Sequence, residues 1–256
     1  MESIDYILDL IKSYQALPLS DVIDYNKFNH YAITHHSTAI EGSTLNEMET
    51  RLLLEENITP KGKQLQESMM TLDHYQALLF ILKEARHKSV VTESFLKTIN
   101  AHVLKNTGAV YNTALGTINI SLGDYRLSNV RAGHRYFANY AKVQDLTAQL
   151  CKNIQGQMTT MLTIESQLFL AFDAHFDLVS IHPWYDGNGR TSRLLMNYIQ
   201  ACFDLPLAIV YKEDKVDYFS ALEASRDLES KNPFRDFMMR QYRIFLQKEI
   251  EAYRSI

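Results

Sequence analysis

The segment from His182 to Arg193 concentrates side chains that can do acid–base and phosphate chemistry. It reads His-Pro-Trp-Tyr-Asp-Gly-Asn-Gly-Arg-Thr-Ser-Arg and lies between two strongly apolar stretches. Because Pro183 disfavours helical angles at the preceding residue, the imidazole of His182 is expected at the mouth of a loop. That position suits a general base or a metal ligand.

The centre of this segment has the composition of an anion-binding turn. Gly187, Asn188 and Gly189 tolerate left-handed backbone angles, and their successive N–H groups can form a nest for an anion. Helical spacing of apolar residues begins again at Leu194, so a helix is expected to start nearby and to direct its free N–H groups at the same anion. The pattern predicts a polyphosphate site.

Three charged residues of the segment complete this prediction. Arg190 and Arg193 can each donate charge-assisted hydrogen bonds to a phosphate. Asp186 is a hard oxygen ligand of the kind that Mg²⁺ uses together with substrate phosphates. The structural alternative is a capped surface turn with a core-facing histidine, but that alternative does not explain why base, acid, nest and arginines coincide.

The elements that must hold this loop are predicted to be mainly α-helical. The chain has 256 residues, of which 46% are hydrophobic, and only 9 Gly and 5 Pro interrupt long runs of helix formers. We expect a helix from Thr163 to just before Pro183, another from Thr92, and one from about residue 26 to residue 41 that Gly42 closes.

One segment has a different pattern, between residues 116 and 133. Ile118, Ile120 and Leu122 alternate with polar residues, and Gly123 with Asp124 offers turn chemistry. This alternation predicts a single small β-hairpin, and the fold class is therefore mainly α with one hairpin.

The loop resembles the signature of the Fic family, His-Pro-Phe-x-Asp/Glu-Gly-Asn-Gly-Arg-x-x-Arg, and departs from it only where Trp184 replaces Phe. The resemblance implies a Fic-type helical bundle. It also implies that His182 deprotonates a target hydroxyl, that Asp186 holds Mg²⁺, and that residues 187–190 with Arg193 bind the triphosphate of ATP. Because the replaced aromatic faces the core in the family, Trp184 is expected to affect packing more than chemistry.

Residues 37–42, Ser-Thr-Ala-Ile-Glu-Gly, resemble the family's inhibitory motif Ser/Thr-x-x-x-Glu-Gly/Asn. The resemblance implies a regulatory role for Ser37 and Glu41 in an inhibitory helix over about residues 27–42, which precedes the catalytic core. A carboxylate paired with Arg193 would occupy the group needed for the terminal phosphate. The same carboxylate would be able to orient water for removal of AMP. Without the loop, Glu41 would read as a solvated side chain at a helix end.

Residues 123–133 resemble the family's flap, a Gly-x-Tyr-Arg hairpin that leads to an apolar-Gly turn, here Ala132 and Gly133. The resemblance implies that the flap, over about residues 116–135, covers the nucleotide and pairs with the target backbone by strand addition. The alternative is an ordinary surface hairpin. Tyr218 aligns loosely with an adenine contact of the family, although an aromatic residue at helical spacing is more often part of the core.

The resemblance thus predicts a protein adenylyltransferase that moves AMP from Mg²⁺-ATP onto a Ser, Thr or Tyr hydroxyl of a target protein. An N-terminal helical region would cover residues 1–65 and the catalytic core residues 66–256. An imidazole with a pKa near its ordinary value would suit His182 as the base. Two alternatives stay open: a nucleotide-binding regulatory protein whose site is silenced by Glu41, and a metal-dependent phosphohydrolase that uses several of the nine histidines with Asp173, Asp177 and Asp186.

Composition excludes several partners and leaves others open. A formal net charge of −4 gives no general attraction for nucleic acid or an anionic membrane. The two cysteines are too few for a disulfide framework, and no apolar run approaches the length of a bilayer span. We therefore expect a cytoplasmic protein without a nucleic-acid or membrane partner, and the sequence leaves a homodimer open.

Overall fold

The structure is a computed structural model that describes residues 4–19, 25–133, 135–160 and 162–254. These residues form ten α-helices: α1 (Ile4–Gln15), α2 (Tyr25–Ile40), α3 (Glu47–Glu56), α4 (Leu65–Arg86), α5 (Glu93–Val103), α6 (Val143–Met158), α7 (Ile164–Ile181), α8 (Asn188–Cys202), α9 (Lys215–Asp227) and α10 (Asn232–Arg254). The mainly α fold class is confirmed.

Helix α8 lies at the centre of the bundle. It packs against α7, α4, α5 and α2, and it is buried on almost every side, including polar residues of its first turns. A helix that is covered all around belongs to the interior of a domain. The loop between α7 and α8 is therefore attached to a helix that lies within the core.

Two of the expected helix starts have the capping geometry that the sequence predicts. The side chain of Thr163 accepts a hydrogen bond from the Ser166 N–H at 3.2 Å at the start of α7. Thr92 accepts from the Phe95 N–H at 3.1 Å at the start of α5. Each cap satisfies one of the free N–H groups of a first helical turn.

The expectation of a single hairpin is wrong in its details, because the described residues form two. Strand β1 (Val110–Thr113) pairs antiparallel with β2 (Gly116–Asn119), and β3 (Arg131–Ala132) pairs with β4 (Arg135–Tyr136). The alternating residues 120–122 form a 3₁₀ turn that the side chain of Asn119 caps and Gly123 ends at φ 78°. A turn that buries Ile120 produces the same short alternation as a strand, so the pattern did not distinguish them.

The N-terminal helices share the core with the rest of the chain. Helix α1 packs on α10, and α2 packs on α3, α4 and α8. Gly42, at φ 107°, lies just past the end of α2 as predicted. This packing places the C-terminal turn of α2 against the first turn of α8. In the described ranges, no helix is long and apolar enough to cross a membrane.

Candidate active site

His182 leaves helix α7 through a left-handed backbone conformation. Its φ and ψ are 56° and 62°, and its N–H still donates to the Leu178 carbonyl at 3.0 Å. Positive φ is uncommon for a residue other than glycine and reflects a position determined by its surroundings. Pro183 prevents the helix from continuing, so the imidazole lies outside α7, as the sequence predicts.

The imidazole is held in one tautomer and kept neutral. Its Nδ1 lies 3.4 Å from the Val179 carbonyl, and its ring stacks on Phe137 at 3.9 Å between centroids. Since a carbonyl can only accept, Nδ1 carries the proton and Nε2 keeps its lone pair. Burial lowers the pKa of His182 to about 4, and the charges of Arg126 and Arg226 contribute to this shift. The expectation of an ordinary pKa is therefore wrong.

Asn188 and Trp184 fix the shape of the loop. The Asn188 side chain accepts from the Trp184 N–H at 3.0 Å and donates to the Trp184 carbonyl at 2.9 Å. The indole of Trp184 is fully buried, and its Nε1–H donates to the Gly123 carbonyl at 3.0 Å. Trp184 thus packs into the core as expected, and Asn188 contributes its side chain to the loop's rigidity.

Asn100 of helix α5 holds the turn around Gly187 through hydrogen bonds, and the sequence did not predict this role. Its Nδ2 donates to the Asp186 carbonyl at 3.3 Å and to Thr191 Oγ1 at 3.1 Å. A Cβ on Gly187, which has φ 79°, would lie 2.6 Å from this nitrogen. The available signal was an asparagine on the apolar stripe of α5, since a buried amide needs partners.

Asp186 and Arg190 form the charged mouth of the site. Asp186 Oδ1 accepts from the Gly187 N–H at 2.6 Å and from Arg190 Nη2 at 3.2 Å, while the carboxylate stays 56% exposed. The Arg190 side chain is only 4% exposed, and its Nε and Nη1 have no hydrogen-bond partner within the described part of the chain. A buried guanidinium with unused donors fits a phosphate. A single exposed carboxylate beside that anion fits Mg²⁺.

Arg193 is paired with the end of helix α2. Its Nη2 donates to Glu41 Oε1 at 2.6 Å and to the Ser37 carbonyl at 3.0 Å, and its Nε donates to Ser37 Oγ at 2.8 Å. Arg193 is buried, and the Glu41 side chain is 30% exposed. Burial by itself raises the pKa of Glu41, but the charges of Arg193 and Arg190 outweigh it and hold that pKa below its ordinary value.

The Glu41 carboxylate also occupies space at the first turn of helix α8. A Cβ on Gly189 would lie 2.5 Å from Glu41 Oε1 and 3.1 Å from Arg193 Nη1. Only glycine permits this approach. The carboxylate therefore lies against the N-terminus of α8, where the turn is best arranged to hold an anion.

The remaining predicted residues lie around this centre. Tyr218 is buried, and its hydroxyl lies 3.0 Å from His175 Nε2 and 3.5 Å from Arg193 Nη1. Ala132 and Gly133 are exposed on the second hairpin, with Gly133 at φ 58°. The structure thus places Tyr218 below Arg193, as part of the core.

A cavity of about 240 Å³ opens beside Asp186 and Arg190. Its lining combines the end of α2, the start of α4 and the catalytic loop, with Glu41, Gly42, Gln64, Gln66, Glu67, Met70, Thr107, Asp186 and Arg190. The cavity lies against the exposed carboxylate of Asp186, whereas the unpaired Nε and Nη1 of Arg190 are buried behind its lining.

The ligands needed by a metal-dependent phosphohydrolase do not assemble. Asp173 accepts two hydrogen bonds from Arg235 at 2.8 and 2.6 Å, and Asp177 accepts from Lys231 at 2.7 Å. In the ranges that the structure describes, no group of three or more His, Cys, Asp or Glu side chains is arranged to hold a metal ion.

The chain is similar in sequence to a known protein family and to named proteins. Residues 90–200 match the model of the Fic/DOC family. The chain is 27% identical over 229 residues to protein adenylyltransferase fic-1 of Caenorhabditis elegans, covering 88% of this chain and 42% of that protein. It is 28% identical over 263 residues to protein adenylyltransferase Fic of Nematostella vectensis, covering 99% of this chain and 55% of that protein. The chain spans about half the length of these curated relatives.

Solved structures share the fold. A Fic-domain-containing signaling protein from Bacteroides thetaiotaomicron superposes with a TM-score of 0.81 at 24% identity, covering 98% of this chain and 97% of that one. A fragment of Fic-1 from C. elegans gives a TM-score of 0.78 at 23% identity, covering 98% and 72%. The catalytic loop and the first turns of helix α8 thus lie within residues 90–200, the part of the chain that matches the Fic/DOC family model.

Proposed function

We propose that this protein transfers AMP from ATP to a hydroxyl group of a protein side chain. The observation that carries the proposal is the arrangement around His182: a neutral imidazole with a free Nε2 begins the loop that leads to a helix N-terminus, and a buried arginine with unused donors lies in the first turn of that helix. The names of the curated relatives, protein adenylyltransferases, support the same activity.

In the proposed reaction, the target hydroxyl oxygen attacks the α-phosphorus of ATP. Nε2 of His182 takes the hydroxyl proton, a new P–O bond forms, and the bond from the α-phosphorus to the pyrophosphate oxygen breaks. Mg²⁺ held by Asp186 would neutralise charge on the phosphates. The N–H groups at the start of α8, with Arg190 and Arg193, would hold the chain of phosphates in line, so catalysis rests on positioning and electrostatics.

We further propose that Glu41 inhibits this transfer. Its support is the ion pair with Arg193 and the position of its carboxylate against Gly189. In this state a terminal phosphate would meet a negative charge and an arginine that is already paired. Ser37 would strengthen the inhibition by binding the same guanidinium. When AMP-modified protein is bound, the same carboxylate would be able to orient water for removal of AMP.

Labelled ATP tests the proposed activity. The wild-type protein, Glu41→Gly and Glu41→Gly/His182→Ala are incubated with ATP labelled at the α- or the γ-phosphate, with the protein itself and a protein extract as acceptors. AMP transfer predicts retention of the α-label only, dependent on His182. Retention of the γ-label would indicate phosphate transfer. Phosphate release without any retained label would favour a phosphohydrolase, and ATP binding without turnover in Glu41→Gly would favour a silenced nucleotide-binding protein.

A further inference from the structure

The segment that leads into the second hairpin lies directly along the catalytic loop. The Arg126 N–H donates to the Pro183 carbonyl at 3.0 Å. The hydroxyl groups of Ser128 and Tyr185 lie 2.7 Å apart. These contacts join two segments that are more than fifty residues apart in the chain, and Arg126 is at the centre of them.

The side chain of Arg126 binds three backbone carbonyls at once. Its Nε donates to the His182 carbonyl at 2.8 Å, its Nη1 donates to the Ser128 carbonyl at 2.8 Å, and its Nη2 donates to the Ala138 carbonyl. Arg126 is only 1% exposed. In the described ranges no ion pair joins it to a carboxylate, so backbone dipoles alone compensate a buried charge that an arginine cannot lose by deprotonation.

The three carbonyls belong to the two ends of the hairpin and to the base. Ser128 precedes strand β3, and Ala138 follows strand β4. The residue that follows β4 is Phe137, and its ring stacks on the imidazole of His182. One planar guanidinium therefore holds the backbone before β3, the backbone after β4 and the backbone of His182 in a fixed geometry.

We propose that Arg126 is a positioning residue that sets the place of His182 relative to the hairpin over which the target is expected to bind. This inference rests on the proposed AMP transfer. If Arg126 acts in this way, its removal misplaces the base while Arg190 and Arg193 still bind ATP. If Arg126 only stabilised the fold, its removal would lower the transfer rate constant and the stability of the protein together. The hairpin would then keep its structure in the molecules that remain folded.

The test compares three variants in the Glu41→Gly background. Arg126→Gln removes the charge and the guanidinium that donates three hydrogen bonds. Arg126→Lys keeps the charge without the guanidinium. Arg235→Gln is the matched control, because it removes the two hydrogen bonds that a different arginine donates to Asp173 between α10 and α7. The measurements are the automodification rate constant at saturating ATP, ATP affinity by calorimetry, and hydrogen exchange of the Phe137 amide, which donates to the Val130 carbonyl.

We expect Arg126→Gln to lower the rate constant by about 10- to 100-fold, the effect of a displaced catalytic group, with ATP affinity unchanged within about twofold. Phe137 exchange is expected to accelerate in this variant and not in Arg235→Gln. The rate constant of Arg126→Lys is expected to lie between that of the Glu41→Gly parent and that of Arg126→Gln. If Arg126→Gln does not fold by circular dichroism, the same comparison is made with Arg126→Lys.

An unchanged rate constant in Arg126→Gln would overturn the proposal. The proposal would also fail if Arg126→Gln and Arg235→Gln lowered the rate constant equally and the hydrogen exchange of the Phe137 amide did not change. Failure of the proposed function has a different signature. In that case Glu41→Gly itself transfers no AMP, and hydrogen exchange alone decides whether Arg126 holds the hairpin. Faster exchange of the Phe137 amide in Arg126→Gln, but not in Arg235→Gln, supports the positioning role. Equal exchange in the two variants refutes it.

Discussion

The Glu41 carboxylate and the Arg193 guanidinium lie 2.6 Å apart, although 152 residues separate them in the chain. The same carboxylate occupies the space into which a side chain on Gly189 would project. An acidic group is thus seated at the helix N-terminus that is best arranged to bind a phosphate.

Glu41→Gly is expected to increase AMP transfer by about ten- to a hundredfold, because it removes one charge-assisted hydrogen bond of about 1.5–3 kcal/mol that competes for Arg193. Incorporation of α-labelled AMP measures the gain. Glu41→Gln, which keeps the shape of the side chain without its charge, is the matched variant and is expected to give a smaller gain. Equal labelling by wild type and Glu41→Gly across a range of ATP concentrations would contradict the inhibitory role.

The Glu41→Gly variant is also expected to lose any ability to remove AMP. The reason is that the carboxylate proposed to orient water is gone, while the transfer base His182 remains. Release of AMP from a pre-labelled sample of the protein measures this activity. Release by Glu41→Gly at the wild-type rate would assign the hydrolytic role to another group.

Gly189→Ala is expected to weaken ATP binding by about tenfold or more, since the added methyl group projects into the space shared by Glu41 and the phosphates. Removal of Glu41 in the same chain should not restore affinity. Calorimetry with Mg²⁺-ATP measures both variants. Gly156→Ala in helix α6 is the control, because an added Cβ there meets no atom within 4 Å. Full affinity in the Glu41→Gly/Gly189→Ala variant would place the phosphates elsewhere.

Transfer is expected to be nearly independent of pH between about 6 and 8. A base must be neutral to accept a proton, and the pKa of His182 is lowered to about 4, whereas an ordinary histidine would lose half of its neutral form near 6.5. The pH profile of kcat/KM and the NMR titration of labelled histidine, assigned with His182→Gln, measure this. A midpoint near 6.5 in either would contradict the buried, neutral imidazole.

The same lowered pKa affects folding. Below about pH 6.5 the unfolded chain takes up a proton at residue 182 that the folded chain does not, so this contribution to stability is lost progressively as the pH falls toward 4. Urea unfolding of wild type and His182→Gln at several pH values measures the difference. The two proteins should differ in the pH dependence of unfolding within this window and not above it.

Asp186→Asn is expected to abolish most of the benefit of Mg²⁺ for ATP binding. The amide keeps the oxygen that accepts from the Gly187 N–H but loses the charge that a divalent cation needs. Calorimetry with Mg²⁺ and with EDTA measures the difference. Asp204→Asn, just beyond the other end of helix α8, is the control and should respond to Mg²⁺ as wild type does. Retained Mg²⁺ dependence in Asp186→Asn would remove Asp186 from the metal site.

Much of the local geometry of the site was determined by the sequence. Pro183 places His182 outside helix α7, the glycine turn starts α8 at Asn188, and Trp184 enters the core. These features depend on the backbone preferences and polarity of neighbouring residues, which the sequence displays directly. The helical fold class followed for the same reason, whereas the short alternation at residues 118–122 suited both a strand and a 3₁₀ turn.

The tertiary structure decided the properties that depend on residues far apart in the chain. The motif resemblance paired Glu41 with Arg193, but only the packing of α2 against α8 brings that carboxylate into contact with Gly189. The sequence shows that Asn100 and Arg126 are polar residues within a helix stripe and a flap motif, but it does not show their hydrogen-bond partners, which lie in distant segments. The pKa of His182 is set by burial. Burial is a sum over neighbours contributed by the whole fold, and no spacing of residues along the chain encodes that sum.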